Sequence, residues 1–113
     1  MGQILSVDAS KILRTVPFED GFHFCIDGGV YTNMTATSMM DFADKLNDAS
    51  TESIEFHYPR GDFQFWVTKT LGDEELDNRM CFVNRNLNGE QLRQQLSRIV
   101  VDRINELNDQ IEQ

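Results

Sequence analysis

The chain has 113 residues, 40% of them hydrophobic and including eight Phe and one Trp, which is enough apolar side chain for one core and too little for two. Its formal net charge of −9 repels phosphate backbones and argues against nucleic-acid binding. The longest unbroken apolar run, Met80-Cys81-Phe82-Val83, is far short of a membrane span. The start carries no secretory signal pattern, so the expected location is the cytoplasm.

In chain order, residues 1–17 form an N-terminal arm. Ile4, Leu5 and Val7 are apolar and need cover. Asp8 is placed to cap a short helix over about 9–15, with Ile12, Leu13 and Val16 inward and Pro17 as its stop. Phe22-His23-Phe24-Cys25-Ile26, then Asp27-Gly28-Gly29, then Val30-Tyr31-Thr32 reads as strand, glycine turn and strand: a hairpin at 22–32. Ser38-x-x-Asp41 approximates a capping box, and Met39, Phe42, Ala43 and Leu46 recur at helical spacing. Ile54-Glu55-Phe56-His57-Tyr58 alternates apolar and polar residues and predicts a third strand that Pro59 ends. Asp62 is placed to cap a helix carrying Phe63, Trp66, Val67 and Leu71, with Gly72 in the left-handed position past its end. Asp73 caps the next helix, whose inner side is Leu76, Met80 and Val83. Residues 88–113 hold the longest helix, predicted over about 90–111, with Leu92, Leu96, Ile99, Val100, Ile104, Leu107 and Ile111 as its stripe. The expected fold is a single α+β domain: a small antiparallel sheet of about three strands packed with four to five helices.

Residues 22 to 80 resemble an uncharacterised prokaryotic domain family. The resemblance is carried by the aromatic-His segment Phe56-His57-Tyr58, by Asp62-Phe63-x-x-Trp66, and by Gly72-Asp73-x-x-Leu76. The chain departs from that pattern at Tyr58-Pro59-Arg60-Gly61, where the family is richer in Asn. The family has no established activity, so the resemblance implies a fold rather than a reaction.

Few residues suggest chemistry. His57 and Asp62 are the catalytic candidates, because a carboxylate can orient an imidazole that titrates near neutrality. A strand His beside a helix-capping Asp is also an ordinary structural pair, and that is the preferred reading. Tyr58, Arg60 and Trp66 are ligand-binding candidates, with Trp66 at core spacing. His23 and His57 are the only histidines and no metal motif exists, so neither metal nor cofactor is expected. Cys25 and Cys81 sit among apolar neighbours and read as buried thiols, with a disulfide or a reactive thiol as alternatives. Arg93, Arg98 and Arg103, spread among acids on the last helix, suggest a solvated or partner-facing side.

That helix is longer than so small a body needs. Ile104, Leu107 and Ile111 are therefore expected to lack cover in their own chain and to form the interaction surface. The alternative is that the helix lies along the first segment and covers Ile4, Leu5 and Val7. The expected function is a non-catalytic protein-interaction or regulatory module, self-associating or a subunit of a larger assembly. Its partner would be a protein or a second copy, with no nucleic acid and no membrane. The alternative function is a small-ligand or enzymatic site at His57 and Asp62.

Overall fold

The computed structural model describes residues 8–84 and 86–112. Ile4, Leu5 and Val7 lie outside them. Among the described residues the fold is α+β, with one antiparallel hairpin and six α-helices.

Strands β1 (Phe22–Ile26) and β2 (Val30–Ala36) pair from Phe22↔Ala36 to Ile26↔Val30. The turn between them holds Gly28 and Gly29 at φ 80° and 75°, backbone that glycine adopts without strain. The register jumps from Phe24↔Met34 to Cys25↔Tyr31, leaving Thr32 and Asn33 as a bulge. Asn33 takes φ 69°, which Asn tolerates better than most residues, and the Thr32 hydroxyl donates to the Phe24 carbonyl at 2.7 Å. Gly21 enters the hairpin so close to β2 that a Cβ there would meet the Ala36 carbonyl oxygen at 2.7 Å.

Helix α1 (Ala9–Ile12) is a single turn, capped by Asp8 as expected but shorter than the sequence suggests. Arg14 closes it by donating to the Lys11 carbonyl at 2.7 Å and bridges onward to the Thr70 carbonyl at 2.8 Å. Helix α2 (Met39–Asp48) buries the expected face. The Ser38 hydroxyl accepts from the Asp41 amide, and the Asp41 carboxylate reaches back to the Thr37 amide, one residue before the usual partner.

The segment expected as a third strand is a helix, α3 (Thr51–His57). The Ser50 hydroxyl accepts from the Ser53 amide at 3.1 Å and starts it. Burial then follows a helical rather than an alternating period: Ser53, Ile54, His57 and Tyr58 are inside, whereas Glu55 is exposed. Among the described residues the sheet accordingly has two strands.

Helix α4 (Asp62–Trp66) runs on through one wide π-type turn, residues 67–71, to Gly72 at φ 85°. Its N-cap is Gly61 at φ 78°, not Asp62, which is the first helical residue. The left-handed Gly61 turns the chain tightly out of α3 and places the cap one residue early. The Asp62 carboxylate then caps nothing and is available to other donors. Helix α5 (Glu74–Cys81) is capped by Asp73, whose carboxylate accepts from the Leu76 amide.

Helix α6 (Gly89–Glu112) buries Leu92, Leu96, Val100, Ile104 and Leu107 against the rest of the domain. The expectation that Ile104, Leu107 and Ile111 lack cover in their own chain therefore holds only for Ile111, which is 49% exposed. Both α1 and α5 pack against α6, with α5 along its outer half. Arg79 on α5 grips both oxygens of Glu106 at 2.9 Å, and Arg103 makes a buried two-point pair with Asp73 at 2.8 and 3.0 Å. Arg103 is thus not on a solvated face. Arg93 also turns inward, donating to the Leu46 and Asn47 carbonyls that α2 leaves open at its end.

The core joins the stripe of α6 to an aromatic cluster of Phe22, Phe24, Phe42, Phe63 and Trp66. Both cysteines are thiols: Cys25 is half-buried, and Cys81 is exposed. Cys81 follows the inward Met80 by one residue, a 100° rotation on a helix, and so falls outside the core. Among the described residues no helix is long and apolar enough to cross a membrane.

Candidate functional site

His57 ends α3 with its ring almost wholly buried. Nε2 lies 2.8 Å from the Cys25 backbone nitrogen and Nδ1 lies 2.8 Å from Asp62 Oδ2. A backbone N–H can only donate, so Nε2 is the acceptor, and Nδ1 carries the proton and donates to the carboxylate. Burial pushes the imidazole below its ordinary pKa, and the Asp62 carboxylate offsets this only in part. Partial burial acts to raise the Asp62 carboxyl, but the hydrogen bonds from His57 and Arg60 outweigh it and hold it below the ordinary carboxylate value.

One turn earlier on α3, the Ser53 hydroxyl donates to the Cys25 carbonyl at 2.7 Å. Ser53 and His57, four residues apart on one helical face, therefore satisfy both backbone groups of Cys25. The segment expected to be the third strand does lie beside β1, but it serves that strand with side chains rather than with a ladder. Phe22 and Phe63 close over the imidazole at 4.7 and 5.6 Å between ring centres. With both nitrogens engaged inside the chain, the ring has no lone pair free to take a proton from a substrate. His57 ties α3 to β1 and α4.

The other ligand-binding candidates separate. Tyr58 is buried and its hydroxyl donates to the Met80 carbonyl at 2.7 Å. Arg60 is exposed, with Nε 2.9 Å from Asp62 Oδ2 and its guanidinium 4.7 Å above the Phe56 ring. Trp66 is core, as its spacing predicted, and its Nε1–H donates to the Asp20 carbonyl at 2.8 Å.

Asp62 and an edge of His57 form one wall of an open cleft of about 370 Å³ between residues 19–23 and α4. Phe22 and Trp66 give it an apolar floor, Gly21, His23 and Thr70 complete its sides, and Phe65, Glu19 and Asp20 line it at the exposed rim. The tie from Trp66 to Asp20 holds the two sides together. Phe65 is 66% exposed, and Phe18, beside the cleft, is 60% exposed. The Phe18 ring packs 5.2 Å from His23, and His23 packs 5.9 Å from Tyr31. Thr35 joins that pair, its hydroxyl 2.8 Å from His23 Nδ1 and 2.7 Å from the Tyr31 hydroxyl. Of the cleft residues, the sequence pattern points to Asp62 but to neither Phe65 nor Glu19 and Asp20. A signal was present in Phe65, a large apolar residue off the stripe formed by Phe63, Trp66 and Val67.

No group of three or more His, Cys, Asp or Glu among the described residues could hold a metal ion. Comparison of the chain with protein-family models, with curated proteins and with solved structures finds no match.

Proposed function

We propose that the chain is a non-catalytic protein-interaction module whose docking face is the cleft between residues 19–23 and α4. The observation that carries this reading is Phe65, held two-thirds exposed at the mouth of an apolar-floored cleft. Phe18 and Tyr31 extend the aromatic surface beyond it. Large apolar side chains grouped around a concavity mark contact sites more often than isolated ones do. The internal engagement of both His57 nitrogens supports the non-catalytic part. The burial of Ile104 and Leu107 within their own chain moves the docking face away from α6, where the sequence suggested it.

The test is site-specific photocrosslinking in the native cell, with p-benzoylphenylalanine replacing Phe65, Phe18 or, as a remote control, Phe82. Discrete protein adducts from positions 65 and 18 that position 82 does not give are expected. Equal labelling from all three positions, or adducts from position 82 alone, overturns the reading.

A further inference from the structure

Resting on that reading of the cleft, we infer the occupant: a segment of a partner protein that inserts a lysine or arginine side chain flanked by apolar residues. Three carboxylates, Glu19, Asp20 and Asp62, line the cleft, and among the described residues no Lys or Arg does. Asp62 is the most directed of them. Its Oδ2 receives both His57 Nδ1 and Arg60 Nε, whereas its Oδ1 takes part in no hydrogen bond among the described residues, and its side chain is 30% exposed. One carboxylate oxygen is thus fixed by the fold and the other remains to accept a donor, a pre-oriented arrangement that a charged N–H donor can use.

The floor suits the rest of such a side chain. A lysine or arginine stem is apolar and packs on surfaces like those of Phe22, Phe65 and Trp66, while its charged head stays near carboxylates and water. The volume lies near the lower end of ligand pockets, enough for a long side chain with its neighbours. The chain already shows this chemistry on its surface, where Arg60 stacks on Phe56 and reaches Asp62. The net charge of −9 adds long-range attraction for a basic partner. A free polyamine satisfies the carboxylates but leaves Phe18, Tyr31 and Phe65 uncovered. A peptide whose flanking residues are apolar covers both parts of the surface.

The probe is a displayed library of random dodecapeptides selected against the intact chain, with enriched peptides then titrated using the fluorescence of Trp66, the only tryptophan. Enrichment in Lys or Arg next to apolar residues is expected. Binding should weaken roughly tenfold in Glu19→Lys/Asp20→Lys and also in Phe65→Ala, since rim charges and an aromatic anchor both contribute. An equal charge change at exposed positions that do not line the cleft, Asp44→Lys/Asp109→Lys, should alter it less than about threefold, which separates the cleft from the overall field. Enriched peptides lacking Lys and Arg that still lose binding in Phe65→Ala overturn the cationic occupant and leave the docking face standing. No enrichment, or peptides indifferent to Phe65→Ala, overturns both. Displacement of the peptides by spermine at equal concentration overturns the peptide assignment in favour of a free amine.

Discussion

Replacing His57 by Phe tests the frame that supports the cleft. Phe retains most of the ring volume beside Phe22 and Phe63 but can accept nothing from Cys25 and donate nothing to Asp62. The backbone N–H of Cys25 then loses its acceptor in a half-buried position, which costs about 1–3 kcal/mol. The lost donor to Asp62 adds about 0.5–1 kcal/mol, reduced because that carboxylate is partly in water and keeps Arg60. The expected loss is therefore about 1.5–4 kcal/mol, a large share of the 5–15 kcal/mol typical of a folded domain. Urea unfolding at pH 7, followed by Trp66 fluorescence, measures it. A loss below about 1 kcal/mol refutes the assignment of both hydrogen bonds.

The pH dependence gives a second reading of the same group. Because the folded-state pKa of His57 lies below its ordinary value of 6.5, the unfolded chain binds the proton more readily. The stability His57 contributes is complete above that value and is lost as pH falls through the folded-state pKa. Asp62, also lowered, contributes stability above 3.8 that is lost only in a more acidic range. The wild-type chain should therefore lose stability as pH falls below about 6.5, and His57→Phe should flatten that part of the profile. His23 is common to both chains and cancels in the comparison. Parallel profiles for the two chains contradict the argument.

Leu107→Ala should cost about 2–5 kcal/mol and leave the assembly state unchanged, whereas Ile111→Ser should stay within about 0.5 kcal/mol; thermal melts and light scattering check both. Gly21→Ala should destabilise by roughly 1–3 kcal/mol, because its methyl group meets the Ala36 carbonyl oxygen as well as the Thr35 side chain, and the backbone oxygen cannot swing away; a neutral result in the same melts contradicts the close approach. Cys81 should react with a thiol reagent in native buffer well ahead of Cys25, and equal rates contradict their different exposure.

The legible parts of the fold were those where local chemistry and burial agree. The Asp27-Gly28-Gly29 turn demands positive φ, the Ser38 cap precedes a regular apolar face, and Gly72 suits only a left-handed end. The third strand failed because five residues of apolar–polar alternation are compatible with either period. Ser50, a cap four residues upstream of Ile54, was the signal favouring a helix. His57 contributed to the error: counted as polar it completes the alternation, yet its nitrogens find partners indoors and it packs as an aromatic. The His57–Asp62 pair was visible from its spacing, but which groups fill the ring nitrogens depends on β1, more than thirty residues away. The interior location of Arg103 was hidden for the same reason, since its partner Asp73 looked fully employed as a cap. The cleft rim is a meeting of residues 18–23 with α4, brought together by the tie between Asp20 and Trp66 and by Phe22 packing on Phe63 and Trp66.

A long-range ¹H–¹⁵N spectrum of the histidine rings, with the His57 signals assigned by their loss in His57→Phe, tests most directly whether His57 holds the frame rather than performing chemistry. At pH 7 it should show a protonated Nδ1 and an unprotonated, hydrogen-bonded Nε2, and that pattern should persist to a pH below the ordinary imidazole value. A proton on Nε2, or two averaged nitrogens that titrate near 6.5, would contradict the account and return the ring to the list of candidate acid–base catalysts.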